Sequence, residues 1–224
     1  MKFICIGGMC LGAMCLKFLN DKKYSELKSP INNVQLNGGF LNSHKLFDGT
    51  FEKEILENSH INVKHIFIEG DKFPNQWWSE SYKFPHTDFL KDNTIPKFKR
   101  RYDDLIEFIK NPTEDYRFIY SLYKDDVNLS EDEIRLQLDK LSEYIDVSKI
   151  IFLGSERYNG NKPTLCGYKV AKNKFKNRNE NFKNVVGNRY FIIAPSNVYE
   201  LASKDFIAQF EDMIKSEGCS PTPL

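Results

Sequence analysis

The stretch Lys2–Asn20, KFICIGGMCLGAMCLKFLN, decides how the rest of the chain is read. Phe3 to Ile6 is short, apolar and β-prone, Gly7 and Gly8 permit a sharp change of direction, and Met9 to Leu19 is dense in good helix formers. The expected order is strand, tight turn, helix, with Cys10 at the start of the helix. A thiol in a helix's first turn feels the partial positive charge of unpaired backbone N–H groups, which favours thiolate and lowers its pKa. Cys10 is therefore a candidate nucleophile. The competing reading is a small buried hydrophobe, the usual role of a free cysteine. Cys5, inside the strand, and Cys15, in mid-helix, read as core.

Working outward, the 224 residues carry 41% hydrophobic and 14% aromatic side chains, enough for a real core. The net charge of +1 balances 32 basic against 31 acidic residues, so no global field calls for nucleic acid or an anionic membrane. Five cysteines without paired spacing suggest neither a disulfide framework nor a zinc site, and no cofactor is expected. The apolar start lacks an Ala-x-Ala cleavage signal and is too short to span a bilayer, which points to a folded first strand and a cytoplasmic protein. One domain is expected over 1–218, with a frayed tail at 219–224.

Asp21 to Gly39 reads as a long loop around Ser29-Pro30-Ile31-Asn32-Asn33, and Ser43 to Leu56 has weak helical character. Asn62 to Glu69 reads as a strand buried on one face. Asp71 to Asn93, with Phe73, Trp77, Trp78, Tyr82, Phe84 and Phe89, has no helical period and suggests an aromatic flap or short hairpin walling a pocket. Phe98 to Ile109 is an amphipathic helix stopped at Asn111-Pro112. Tyr116 to Tyr123 is a strand. Ser130 and Glu133 form a capping box for a helix bearing Ile134, Leu138, Leu141 and Ile145. Lys149 to Gly154 and Arg189 to Ala194 are further strands. The polar, lysine-rich insertion at 155–188 carries at most a short strand near Tyr168, and Ser203 caps a last helix.

Strands alternating with helices imply an α/β fold with a mostly parallel sheet and helices on both faces, a Rossmann-like three-layer arrangement. Such sheets bind ligands beyond the carboxyl ends of their strands. The candidates for that rim are Gly7 to Cys10, Glu69, Tyr123 to Asp125, Ser155-Glu156-Arg157 and Pro195-Ser196-Asn197. A thiolate nucleophile needs a proton partner. His44 and His60 sit in polar stretches and read as surface, and His65 reads as a hydrogen-bonded core imidazole. His86 follows Pro85 in the aromatic flap and precedes Asp88 by two residues, so a carboxylate is available to orient its ring. The alternative is that His86 packs under Trp77 or Trp78 while Asp88 caps a turn.

Gly8-Met9-Cys10 after a first strand, Ser29-Pro30-Ile31-Asn32 after the first helix, His86-Thr87-Asp88-Phe89, and Lys97-Phe98-Lys99-Arg100-Arg101-Tyr102 together resemble a bacterial papain-like cysteine peptidase family first catalogued as a domain of unknown function. The resemblance covers roughly residues 3 to 156. It implies a Cys10 and His86 pair. The family's usual Gly-Ser-Asn-Cys stands here as Gly7-Gly8-Met9-Cys10, its Pro-Phe-Asp-Trp as Pro30-Ile31-Asn32-Asn33, and its His-Asp-Phe is split by Thr87. These departures bear on whether Asn32 or Asp88 completes a triad.

Such a pair would act on an ester, thioester or amide of a peptide, glycan or small molecule, with Trp77, Trp78, Tyr123, Glu156 and Asn32 around the substrate. Three other classes remain open. A nucleotide or coenzyme A binder, as in a transferase of surface-glycan metabolism, would also use strand, glycines and helix, although Gly7, Gly8 and Gly12 miss the Gly-x-Gly-x-x-Gly spacing. A nucleic-acid surface would use Lys169, Lys172, Lys174, Lys176, Arg178, Lys183 and Arg189 with interleaved aromatics, against which the balanced total charge argues. A non-catalytic interaction protein is favoured if Cys10 is fully buried and His86 lies far from it. Nothing in the sequence sets an oligomeric state.

Overall fold

The computed structural model describes residues 1–8, 25–31, 35–69, 74–85, 87–155, 179–193 and 204–216. Two sheets organise them. The larger is a five-stranded parallel sheet in the order β2-β1-β7-β8-β9, made of β1 (Lys2–Gly8), β2 (Ser25–Glu26), β7 (Tyr116–Ser121), β8 (Ile150–Ser155) and β9 (Tyr190–Ile193). The smaller is antiparallel in the order β3-β6-β5-β4, made of β3 (Gln35–Leu36), β4 (Lys64–Phe67), β5 (Asn75–Trp78) and β6 (Tyr82–Phe84).

The parallel strands are apolar runs because both faces of the sheet are buried. Along β7, Tyr116, Phe118 and Tyr120 join the main core while Ile119 is equally buried on the other side. Phe40, from the 3₁₀ helix Gly39–Leu46, meets Tyr120, Phe152 and Phe182 edge to face at centroid distances of 5.1, 5.4 and 5.3 Å. This geometry suits the ring quadrupoles. The same core continues into the second sheet through Leu36, Tyr82 and Phe84.

Among the described residues the α-helices are α1 (Ser59–Asn62), α2 (Thr94–Lys110), α3 (Glu131–Ser142), α4 (Glu180–Val186) and α5 (Lys204–Ser216), with a π-helical turn at Glu52–Glu57. α2 tolerates Pro96 because it lies in the first turn, where an amide hydrogen has no intrahelical partner. It buries Phe98, Tyr102, Leu105 and Phe108. In α3 the Glu133 amide donates to Ser130 Oγ at 3.3 Å and the Ser130 amide donates back to Glu133 Oε2 at 2.8 Å, the reciprocal capping box. α5 buries Phe210, Met213 and Ile214 and packs on β9. Among the described residues, no helix is long and apolar enough to cross a membrane.

Four expectations are corrected. Asp21 to Gly39 is not all loop, since it supplies the edge strands β2 and β3. Ser43 to Leu56 forms 3₁₀ and π turns in place of an α-helix. β4 is not buried on one face: Lys64, His65 and Phe67 are exposed, because β4 is the edge strand of the antiparallel sheet. Glu69 follows that strand and so does not lie at the end of a parallel one. The short strand expected near Tyr168 lies outside the described residues, and helix α4 was missed at the end of the lysine-rich stretch.

Candidate functional site

β1 carries the chain to the carboxyl edge of the parallel sheet. Gly7 and Gly8 pair with Tyr120 and Ser121 of β7, after a register shift between Cys5 and Gly7. The second sheet meets the first at this edge: a Cβ added to Gly7 would lie 2.7 Å from Leu36 Cδ1 and 3.5 Å from Ile31 Cδ1. The end of β1, the Ser29–Ile31 turn and β3 therefore converge on one corner.

Of the expected site residues, Gly8 ends β1 at this corner. Met9, Cys10, Asn32, His86 and Glu156 lie outside the described residues, as does Pro195 to Asn197. Asp88 caps the turn into α2: its Oδ1 accepts from the Leu90 amide at 3.0 Å and its carbonyl accepts from Thr94 Oγ1 at 2.6 Å. Trp77 is half-buried on β5, tilted against His65 at 5.1 Å and Phe89 at 5.8 Å. Trp78 donates through Nε1 to Gln76 Oε1 at 3.0 Å, and Lys83 Nζ stands 4.9 Å over its ring. Trp77 and Trp78 thus stand on an ordered strand beside β6, with Phe84 packed edge to face on Phe89 at 4.7 Å.

Two histidines are corrected. His65 is exposed rather than core, and its Nε2 lies 3.2 Å from Asn75 Oδ1 across the edge pair. His44 is partly buried rather than surface, with Nδ1 3.1 Å from Gln137 Nε2, and burial holds its pKa below the ordinary value despite Asp48. His60 is exposed as expected.

Tyr123 leads to a group that sequence reasoning missed. Its amide donates to Asp126 Oδ2 at 2.7 Å, Tyr120 Oη donates to the same oxygen at 3.0 Å, and the Phe40 amide donates to Oδ1 at 2.7 Å. Asp126 is fully buried. Burial pushes its carboxyl up to about 6, against the three hydrogen bonds that favour the charged form. Asn179 closes the same knot, donating through Nδ2 to the carbonyls of Asp126 at 2.8 Å and Leu129 at 2.9 Å. With both carboxylate oxygens occupied by donors from inside the fold, Asp126 is a brace rather than a general base. A second aspartate directly after a strand and a short turn was the one available signal.

Two surface openings flank α2. One, of about 270 Å³, is lined by Asn93, Pro96, Lys97 and Arg100. The other, of about 560 Å³, lies over Leu27, Asp104, Glu107 and Phe108. Among the described residues no group of three His, Cys, Asp or Glu side chains is placed to hold a metal ion. No family model, curated protein or solved structure matches the chain.

Proposed function

We propose that the chain is a cysteine-dependent hydrolase or acyl transferase, with Cys10 as nucleophile and His86 as its proton partner. The observation that supports this most is the path of β1. It is an inner strand of a parallel sheet and ends at Gly8 beside Ser121, two positions before Cys10 in the sequence. The carboxyl edge of such a sheet is where ligands bind, and backbone N–H groups there suit an oxyanion. The buried faces of the sheet fit the Rossmann-like three-layer reading, with helices on both sides. On either side of His86, Pro85 follows β6 of the second sheet and Asp88 caps the turn into α2, and the second sheet abuts the same corner through Leu36.

In this reading the Cys10 thiolate attacks an acyl carbon, a C–S bond forms, and the leaving group departs with a proton from His86. Water or another acceptor then cleaves the thioester, giving its proton back through His86. The Gly8 to Leu11 backbone donates to the oxyanion, and Trp77, Trp78, Tyr123 and Glu156 contact the substrate. Asp88 acts on the turn that carries His86, because its Oδ1 is already engaged by Leu90. The kinship with papain-like peptidases and the cytoplasmic location belong to this proposal. The test is intact-mass analysis of the full chain with an aryl ester, an acyl thioester and a peptide. An acyl adduct mapped to Cys10 and absent in Cys10→Ser supports it, and turnover that survives in Cys10→Ala ends it.

A further inference from the structure

α2 is charged against its own dipole. Lys97, Lys99, Arg100 and Arg101 fill its N-terminal half, no acid stands in its first turn, and Asp103, Asp104 and Glu107 follow towards its C-terminus. Helix ends favour the opposite distribution. Lys99 is relieved by Asp103, 3.0 Å away one turn on. Among the described residues, Lys28, Lys97, Arg100 and Arg101 make no ion pair of that kind.

These four cations act on one another. Lys97 is held below its ordinary pKa first by Arg101, then by burial, then by Lys28 and Arg100. Arg101 is half-buried and lowered first by that burial and then by Arg100, with Glu26 offsetting part of the effect. With Glu26 set against Arg101 alone, the gathered cations keep a positive balance that suits an anion from outside. The open pocket of about 270 Å³ lined by Asn93, Pro96, Lys97 and Arg100 is where it fits.

We infer that Lys97 and Arg100, backed by Lys28 and Arg101, form an anion site that takes the phosphoryl group of a small-molecule ligand in the pocket that Lys97 and Arg100 line beside the N-terminal half of α2. A phosphoryl dianion answers a cluster of this charge better than a single carboxylate does, and planar guanidinium groups match its oxygens in pairs. The inference is independent of the thiol chemistry, because binding is read without turnover.

The test is thermal unfolding of the full chain with inorganic phosphate, pyrophosphate, acetate and a short single-stranded oligonucleotide, all at one ionic strength. Phosphate or pyrophosphate is expected to raise Tm saturably where acetate does not. Lys97→Gln and Arg100→Gln should each weaken that binding about tenfold, as loss of a charge-assisted hydrogen bond does. Both should also raise Tm in phosphate-free, low-salt buffer, because each removes a repelling cation. Lys99→Gln should leave phosphate binding unchanged. The inference is overturned if phosphate acts no differently from acetate, if only the oligonucleotide binds, or if the Lys97 and Arg100 variants bind phosphate as the unaltered chain does.

Discussion

Gly39 is where the Asp126 brace can be tested by a single methyl group. Its φ of +62° is a conformation that side-chain-bearing residues adopt at a cost of roughly 1–2 kcal/mol. A Cβ built there would overlap Asp126 Oδ1, with Cγ at 3.1 Å. The carboxylate would have to retreat from the Phe40 amide, now 2.7 Å away, and leaving that buried donor unpaired costs a further ~1–3 kcal/mol. Gly39→Ala should therefore lose about 3 kcal/mol. Gly49 is the control, because it also has positive φ, +88°, but nothing lies within 4 Å of its added Cβ. Gly49→Ala should lose only the backbone strain, about 1 kcal/mol. In urea, at a slope of about 2 kcal/mol per molar, the midpoints should fall by about 1.5 M and about 0.5 M respectively. Equal shifts in the two variants would refute the claim that Asp126 sits against the Gly39 backbone as a packed brace.

Asp126 should also leave a mark on the pH dependence of stability. Its folded pKa of about 6 lies above the 3.8 of the free group, so between those values the folded chain holds a proton that the unfolded chain has lost. Its contribution is thus most favourable below pH 4 and declines as pH rises through 6, by about 3 kcal/mol over the roughly two-unit shift. The difference between the chain and Asp126→Asn, followed by urea unfolding from pH 4 to 7, should change by that amount; parallel curves would count against it. Asn179→Ala removes two buried donor contacts and the side-chain acceptor that caps α4 through the Asn181 amide at 2.9 Å. A loss of about 2–4 kcal/mol is expected in the same assay, and a loss below about 1 kcal/mol would show the knot to be redundant. Ser130→Ala breaks one arm of the α3 capping box and should cost about 1 kcal/mol, read as a small fall in Tm.

The strands and helices that could be read from the sequence are those whose own residues carry a period or a cap. Phe3 to Ile6, Tyr116 to Ser121 and Lys149 to Gly154 are apolar runs of strand length bounded by turns, and Ser130 with Glu133 announces α3 before any packing is known. The second sheet was harder. β3 spans two residues, β6 three, and β5 sets Trp77 and Trp78 side by side, so none offers an alternation long enough to count. β4 does alternate, but period alone cannot tell an exposed edge from a covered one. The Asp126 knot was invisible for a different reason: it joins residues 86 positions apart through a backbone amide, and no local pattern encodes such a contact. Lys97 to Tyr102 entered the reading as part of a motif, while its meaning as a charge cluster needed Lys28 beside it in space.

The central proposal is that Cys10, two positions beyond the last residue of β1 in the sequence, carries an ionised, reachable thiol. The most direct measurement is the rate of Cys10 alkylation by iodoacetamide against pH in the native full chain, assigned by peptide mapping and repeated in His86→Ala. The expected profile has a midpoint well below the ordinary thiol value of about 8.5, and it moves up when His86 is removed. A Cys10 that reacts only after unfolding, or with an ordinary thiol profile that His86→Ala leaves unchanged, contradicts it.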